Sequence, residues 1–337
     1  MIWYKKQNEN DDIIVSTRIR LARNLSEFMF PQKMNRQAMA EAKKKIYGAL
    51  DAENGLFPNG LKKLDMSDVD KLERQVMMEK HLISPELAQK NDAAVVTGLD
   101  DELSIMLMEE DHIRLQVIKG GFAVKEAYEL ASRVDDALEK HCGYAFSEKL
   151  GYLTSCPTNT GTGMRASVMM HLPALTMTGS IDRIIASASE LGLTVRGLYG
   201  EGSKAYGAMY QLSNQVTLGC SEEEIIDKLI NIAGQIKKHE EDTRQAIKKK
   251  PEVADRLWRS LGTLRYARSL SSQEAKSLLS DYILGRALGI IDEKIKQNPV
   301  ELMVLTEPSH IRQIASGAEL TPAERDARRA ELIRSAA

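Results

Sequence analysis

Thr154-Ser155-Cys156-Pro157-Thr158-Asn159-Thr160-Gly161-Thr162-Gly163-Met164-Arg165 stands between a short apolar run at residues 150–153 and the apolar-rich residues 166–172. A polar, glycine-bearing stretch between two buried segments predicts a loop. Gly161 and Gly163 let backbone N–H groups approach an anion closely, and Arg165 adds a permanent forked donor. Cys156 lies beside these positive groups, a neighbourhood that favours a thiolate. Taken singly, a glycine loop is an ordinary turn and a lone cysteine an ordinary core residue. Together they make a long and uncommon string.

The chain of 337 residues is long enough for about two domains. Charged residues make up 28%, hydrophobic ones 43%, and the formal net charge is −2, so no global field points to nucleic acid or membrane. The opening residues lack a signal-peptide apolar core and no apolar run reaches the ~20 residues of a membrane helix, which makes the cytoplasm the expected location. Cys142, Cys156 and Cys220 are odd in number and show no metal-ligand spacing, so neither a disulfide framework nor a metal site is expected.

Residues 12–24 are β-branched and then alternate arginine with apolar residues. On a strand, Arg18 and Arg20 share one face about 6–7 Å apart, a spacing that suits neighbouring phosphates but on its own points rather to a solvated face. Helices are expected at residues 34–52, 65–80, 122–141 and 176–191. Residues 92–96 and 102–118 are expected as successive strands. Alternation along the second places Glu110, His112 and Arg114 on one face and Glu109 on the other, unless Glu109-Glu110-Asp111 is an acidic turn between two strands. Residues 193–196 resemble a strand, and the four glycines of residues 197–207 predict a loop able to close over a ligand. Ser221 and Glu224 form a capping box that opens a helix to about residue 250, broken by Pro251. From there the pattern is all helical, so domains are expected at 1–249 and 250–337. Thr321-Pro322-Ala323-Glu324 is a second capping box, and Arg325 and Arg329 share a face of the helix it opens.

The string from Cys156 to Arg165, followed by Ala166-Ser167-Val168 and Leu172-Pro173, resembles the active-site segment of the phosphagen kinases, the creatine and arginine kinase family. Other motifs agree. Ser16-Thr17-Arg18-Ile19-Arg20 resembles the family's first nucleotide-phosphate motif, Glu109-Glu110-Asp111 with Arg114 its acidic motif, and Arg196-Gly197 with Gly200-Glu201 its lid motif. The resemblance implies an α+β fold: an antiparallel β-sheet flanked by helices, of the phosphagen kinase and glutamine synthetase type, followed by a small all-helical domain. It implies ATP and Mg²⁺, phosphate contacts from Ser16, Arg18, Arg20, Arg114, Arg165 and Arg196, and guanidino-facing carboxylates at Glu110 and Glu201. Cys156 would orient the guanidinium without a covalent intermediate. Four positions depart from the metabolite kinases, where Met108 replaces asparagine, Met169 histidine, Tyr199 arginine and Gln211 aspartate.

The ending separates the branches of the family. Arg325-Asp326 with Arg329-Ala330 is similar to the phosphoarginine-binding motif of protein-arginine kinases, so Arg325, Asp326 and Arg329 are the implied phosphoarginine site. The Ser-Thr-Arg motif begins at Ser16, without the helical domain that precedes it in metabolite kinases, which implies a cleft open to a protein. The resemblance further implies arginine-bearing protein substrates, a stress-response repressor among them, a Clp-type ATPase and protease, an activating adaptor and a homodimer. Two alternatives are a kinase of free arginine or another small guanidine, and a phosphoarginine-binding adaptor with an inactive kinase domain.

Overall fold

A computed structural model of the chain describes residues 2–5, 12–197 and 205–337. Among the described residues, ten strands alternate with helices through the first two thirds of the chain. They are β1 (Ile14–Arg23), β2 (Leu61–Asp65), β3 (Ala94–Gly98), β4 (Leu103–Leu107), β5 (Ile113–Gly120), β6 (Phe146–Ser147), β7 (Gly151–Tyr152), β8 (Met164–His171), β9 (Leu193–Gly197) and β10 (Met209–Asn214). Eight form one sheet in the order β2-β3-β4-β5-β1-β8-β10-β9, while β6 and β7 make a separate hairpin. The printed pairings β1 with β5, β2 with β3, β3 with β4 and β4 with β5 are all antiparallel. With the helices along the chain this is the expected mixed fold.

Strands β1 and β5 turn their apolar residues to one face of the sheet. Ile19 and Leu21 of β1 and Ile113, Leu115 and Val117 of β5 are at most 1% exposed, so the alternate residues, Arg18 and Arg20 on β1 and Arg114 and Gln116 on β5, face the other way. The pairing of Arg20 with Gln116 and of Ala22 with Arg114 brings these polar side chains to one area.

Three of the early helices start where a side chain satisfies their first N–H groups. Asn35 caps α1 (Arg36–Ala52) by accepting from Ala38 N–H, Asp70 caps α2 (Lys71–Glu79), and Ser84 caps α3 (Pro85–Ala88). The helix expected from residue 65 begins only at Lys71, because Leu61–Asp65 is paired as β2 and Asp70 supplies the cap. Next come α4 (Val124–Glu139), α5 (Pro173–Met177) and α6 (Ile181–Glu190). The last two replace the single helix expected at residues 176–191: Gly179 adopts φ +71°, which ends the first. Ser221 and Glu224 bond reciprocally at the start of α7 (Glu222–Ile247), as expected of a capping box. Five helices follow: α8 (Pro251–Tyr266), α9 (Ser272–Ala287), α10 (Pro299–Leu305), α11 (Pro308–Ile314) and α12 (Pro322–Ala336), the last opened by the Thr321–Glu324 capping box.

Two compact units emerge from the packing. One is built mainly from Ser16–Ser167 and Ser213–Ile230, the other from Tyr4–Val15, Val168–Leu212 and Asn231–Ala337. No helix among the described residues is long and apolar enough to cross a membrane.

Candidate active site

Four arginines converge within the first unit. Arg18 and Arg20 come from β1 and Arg114 from the neighbouring β5. On the other side of β1, Ala22 N–H donates to Gly163 O at 2.9 Å, and antiparallel counting from that bond sets Arg165 of β8 beside Arg20. All four are half-buried. Burial and then the Arg114 charge pull Arg18 down from its ordinary value to about 10. Arg20 is lowered well below its ordinary value, by burial first and then by Arg18, Arg114 and Arg165, with Glu109 opposing. Its Nε is buried and has no hydrogen-bond partner. A cluster of guanidiniums that repel one another, with a buried donor left over, is complementary to a polyanion.

The segment expected as a single strand over residues 102–118 is a hairpin. β4 ends at Leu107 and β5 begins at Ile113, and Met108 N–H donates to His112 O across the turn at 3.1 Å. Alternation therefore fails across residues 108–112, and Glu109 does not point away from Arg114. Its two oxygens accept from Arg114 Nη1 at 2.7 and 2.8 Å, and Ser84 Oγ donates to it as well. Glu109 is 1% exposed, whereas Glu110 is exposed. The reading by alternation gave Glu109 no partner. The polar run Glu109-Glu110-Asp111 was the signal for the turn.

The turn is clamped from several sides. Lys90 Nζ donates to the carbonyls of Met108 and Glu109, Gln32 Nε2 to Glu110 O at 2.8 Å. His112 accepts at Nδ1 from Leu25 N–H at 3.0 Å, so its proton sits on Nε2, which donates to Met29 O at 2.9 Å. Burial lowers its pKa and keeps the ring neutral. Met108 takes φ +60°, a conformation that asparagine tolerates better than methionine, which gives the departure at this position a backbone meaning. The free end of this construction is the Glu110 carboxylate. Partial desolvation against the turn first, then Asp111 and Glu109, push its pKa up, Glu86 adds to this, and Arg114 opposes.

The loop carrying Cys156 is fastened to the same turn. Ser155 N–H donates to Asp111 Oδ1 at 2.7 Å. Cys156 is half-buried with its Sγ 3.1 Å from Thr158 Oγ1. Farther along, Gly163 takes φ +60°, and a Cβ there would lie 2.6 Å from Arg23 Nη1 and 2.7 Å from Ala22 O. Arg23 itself is structural: it pairs with Asp135 at 2.7 Å, lies 3.5 Å over the Tyr152 ring and donates to Thr162 O at 2.9 Å.

The other expected site residues are scattered in their settings. Ser16 is buried on β1, on the face of Arg18 and Arg20. Arg196 is exposed on β9 in the second unit. Glu201 and Tyr199 lie outside the described residues. Met169 and Gln211 are half-buried on β8 and β10. In the helical region, Arg325 and Asp326 are half-buried on α12. Arg329 differs from the expectation of a ligand-facing side chain. It is 2% exposed, donates from Nε to Thr306 O at 2.7 Å and from Nη1 to Leu270 O at 2.8 Å, and pairs with Asp326. Among the described residues no three His, Cys, Asp or Glu side chains group as metal ligands.

Comparison with known proteins gives this geometry a context. Residues 41–243 match the family model of the ATP:guanido phosphotransferase C-terminal catalytic domain, and residues 250–337 that of the protein-arginine kinase McsB C-terminal domain. A protein-arginine kinase of Brevibacillus brevis is 47% identical over 335 residues, covering 98% of this chain and 94% of its own. One of Bacillus subtilis is 46% identical over 337 residues, covering 98% and 92%. Among solved structures, a lombricine kinase superposes with a TM-score of 0.62 at 23% identity, covering 73% of this chain and 70% of its own. A taurocyamine kinase of Schistosoma mansoni reaches 0.64 at 22%, covering 80% and 39%. These two show the shared fold. With near full-length identity to the curated kinases and both domain models matched, the chain belongs to the protein-arginine kinase family of ATP:guanido phosphotransferases.

Proposed function

We propose that the chain transfers the γ-phosphoryl group of ATP to arginine side chains of proteins, and the observation that carries this is the four-arginine cluster beside the exposed Glu110 carboxylate. Arg18, Arg20, Arg114 and Arg165 hold the nucleotide phosphates, joined by Arg196 and by the Ser16 end of β1. Mg²⁺ brought in with ATP would supply further neutralisation of the phosphate charge beside these arginines. The target guanidinium is protonated in water, so attack needs a proton acceptor. Glu110 takes that proton as the new N–P bond forms and the bond from phosphorus to the bridging oxygen of ADP breaks. Glu201 is the second carboxylate holding the guanidinium in line, and Cys156 orients it electrostatically without forming a bond.

Residues 1–249 form the catalytic domain and residues 250–337 a phosphoarginine-binding and dimerisation domain, in which Arg325 and Asp326 contact the ligand and Arg329 anchors Asp326. The biological reading is a cytoplasmic homodimer that marks proteins, a stress-response repressor among them, for a Clp-type protease, with an adaptor as activator. The test incubates the protein with Mg²⁺-ATP and either a disordered arginine-containing protein or free arginine, and scores acid-labile phosphate on arginine by mass spectrometry. Label on the protein is expected. Label on free arginine alone would make it a metabolite kinase, and no label with retained phosphoarginine binding would make it an adaptor.

A further inference from the structure

We propose that Asn24 is a positioning residue for the transfer reaction, setting the loop that carries Cys156 against the turn that carries Glu110. The inference rests on the catalytic reading of those two residues. Asn24 is 1% exposed and follows the last residue of β1. Its Nδ2 donates to Asp111 Oδ1 at 2.6 Å and to Leu153 O at 3.1 Å, and its Oδ1 accepts from His112 N–H at 2.9 Å. Asp111 Oδ1 also accepts from Ser155 N–H at 2.7 Å.

The placement of these bonds gives the arrangement a purpose beyond packing. Asp111 is the residue after Glu110, and Ser155 is the residue before Cys156. One amide and one carboxylate therefore join the two loops one residue from Glu110 and one residue from Cys156. Only one orientation of the amide works, because turning it over would set Nδ2 against His112 N–H and Oδ1 against Leu153 O and the Asp111 carboxylate. Both Nδ2 protons and the Oδ1 acceptor are used, and the bonds of Asn24 with Asp111 and with His112 N–H are buried, where lost partners are costly. Asn24 also continues the strand of Arg18 and Arg20, so the same residue references both loops to the phosphate-binding face. None of these contacts reaches a reacting atom. Their effect on rate runs through geometry, where a displacement of about 1 Å can cost about 100-fold.

The experiment compares Asn24→Ala, Asp111→Ala, Asp111→Asn and Glu110→Ala in the full chain, reading kcat, KM for ATP and the alkylation rate of Cys156 by iodoacetamide. Asn24→Ala and Asp111→Ala should each lower kcat about 100-fold, leave KM for ATP within about threefold, and change the Cys156 rate. Asp111→Asn keeps an oxygen acceptor for both N–H groups and should hold kcat within about threefold. A loss of kcat together with ATP affinity in Asn24→Ala would make the residue one of folding only and overturn the proposal. So would an Asp111→Asn defect equal to that of Asp111→Ala. If Glu110→Ala is inactive and Asn24→Ala turns over normally, the positioning role alone is wrong. If Glu110→Ala turns over normally, the catalytic reading beneath it has failed first.

Discussion

Glu110 is exposed at the tip of a turn whose other acids are held: Glu109 by Arg114 and Ser84, Asp111 by Asn24 and Ser155 N–H. Only the ionised carboxylate accepts a proton, and partial desolvation with the neighbouring charges of Asp111 and Glu109 raises its pKa. The rate should therefore fall on acidification through a limb lying above the ordinary glutamate range. Replacing Asp111 by Asn removes one of the negative charges that hold this pKa up and should therefore move that limb to lower pH. A profile of kcat against pH for both proteins decides it, and an unmoved limb would detach Glu110 from the titration. At this scale much of the site was legible. Alternation along β1 put Arg18 and Arg20 on one face, and the motif pattern supplied Arg114, Arg165 and Glu110. Glu109 and Asn24 were not, because their roles come from partners 25 and 87 residues away, Ser84 and Asp111, and no local period encodes such contacts.

At the scale of elements, the strand after the glycine loop is placed by Gly163. Its carbonyl accepts from Ala22 N–H, and its missing side chain leaves room for Arg23. Gly163→Ala would force a Cβ into that space at a left-handed φ, and we expect a loss of about 2–4 kcal/mol in urea unfolding. A loss under about 0.5 kcal/mol, the range of neutral surface changes, would mean the strand can shift freely. Gly161→Ala should behave alike, since its Cβ would meet Thr217 O. The two glycines were readable from sequence as backbone devices, but what they make room for was not. The β4–β5 hairpin shows the complementary limit: an alternating pattern continued in phase through residues 108–112 although the chain reversed there. Sequence period reports which face a residue takes on a strand and says nothing of where a strand stops.

Over the whole chain, the contrast between Arg325 and Arg329 sets a proposed binding role against a folding one. Arg329→Ala would leave two buried carbonyls and Asp326 without their partner, and should destabilise the protein by about 3 kcal/mol. Arg325→Ala should stay within about 0.5 kcal/mol of the parent and lose phosphoarginine binding. Thermal unfolding with and without phosphoarginine tests both, and equal stability of the two variants would erase the distinction. The helix pattern and capping box of α12 were plain in the sequence, whereas the burial of only one of its two motif arginines depends on the carbonyls of Thr306 and Leu270 in other segments.

The four-arginine cluster has a consequence for the lifetime of the protein. Like charges gathered on one sheet face raise the cost of folding, which the Glu109 carboxylate on Arg114 offsets in part, so on the proposed function the nucleotide would serve as a counter-ion that stabilises the native state as well as a reactant. Pyrophosphate, which cannot donate a γ-phosphoryl group, should raise the melting temperature as a nucleotide does, and Arg20→Ala should abolish that rise. The ATP supply of its surroundings would then govern how long each molecule survives along with how fast it works.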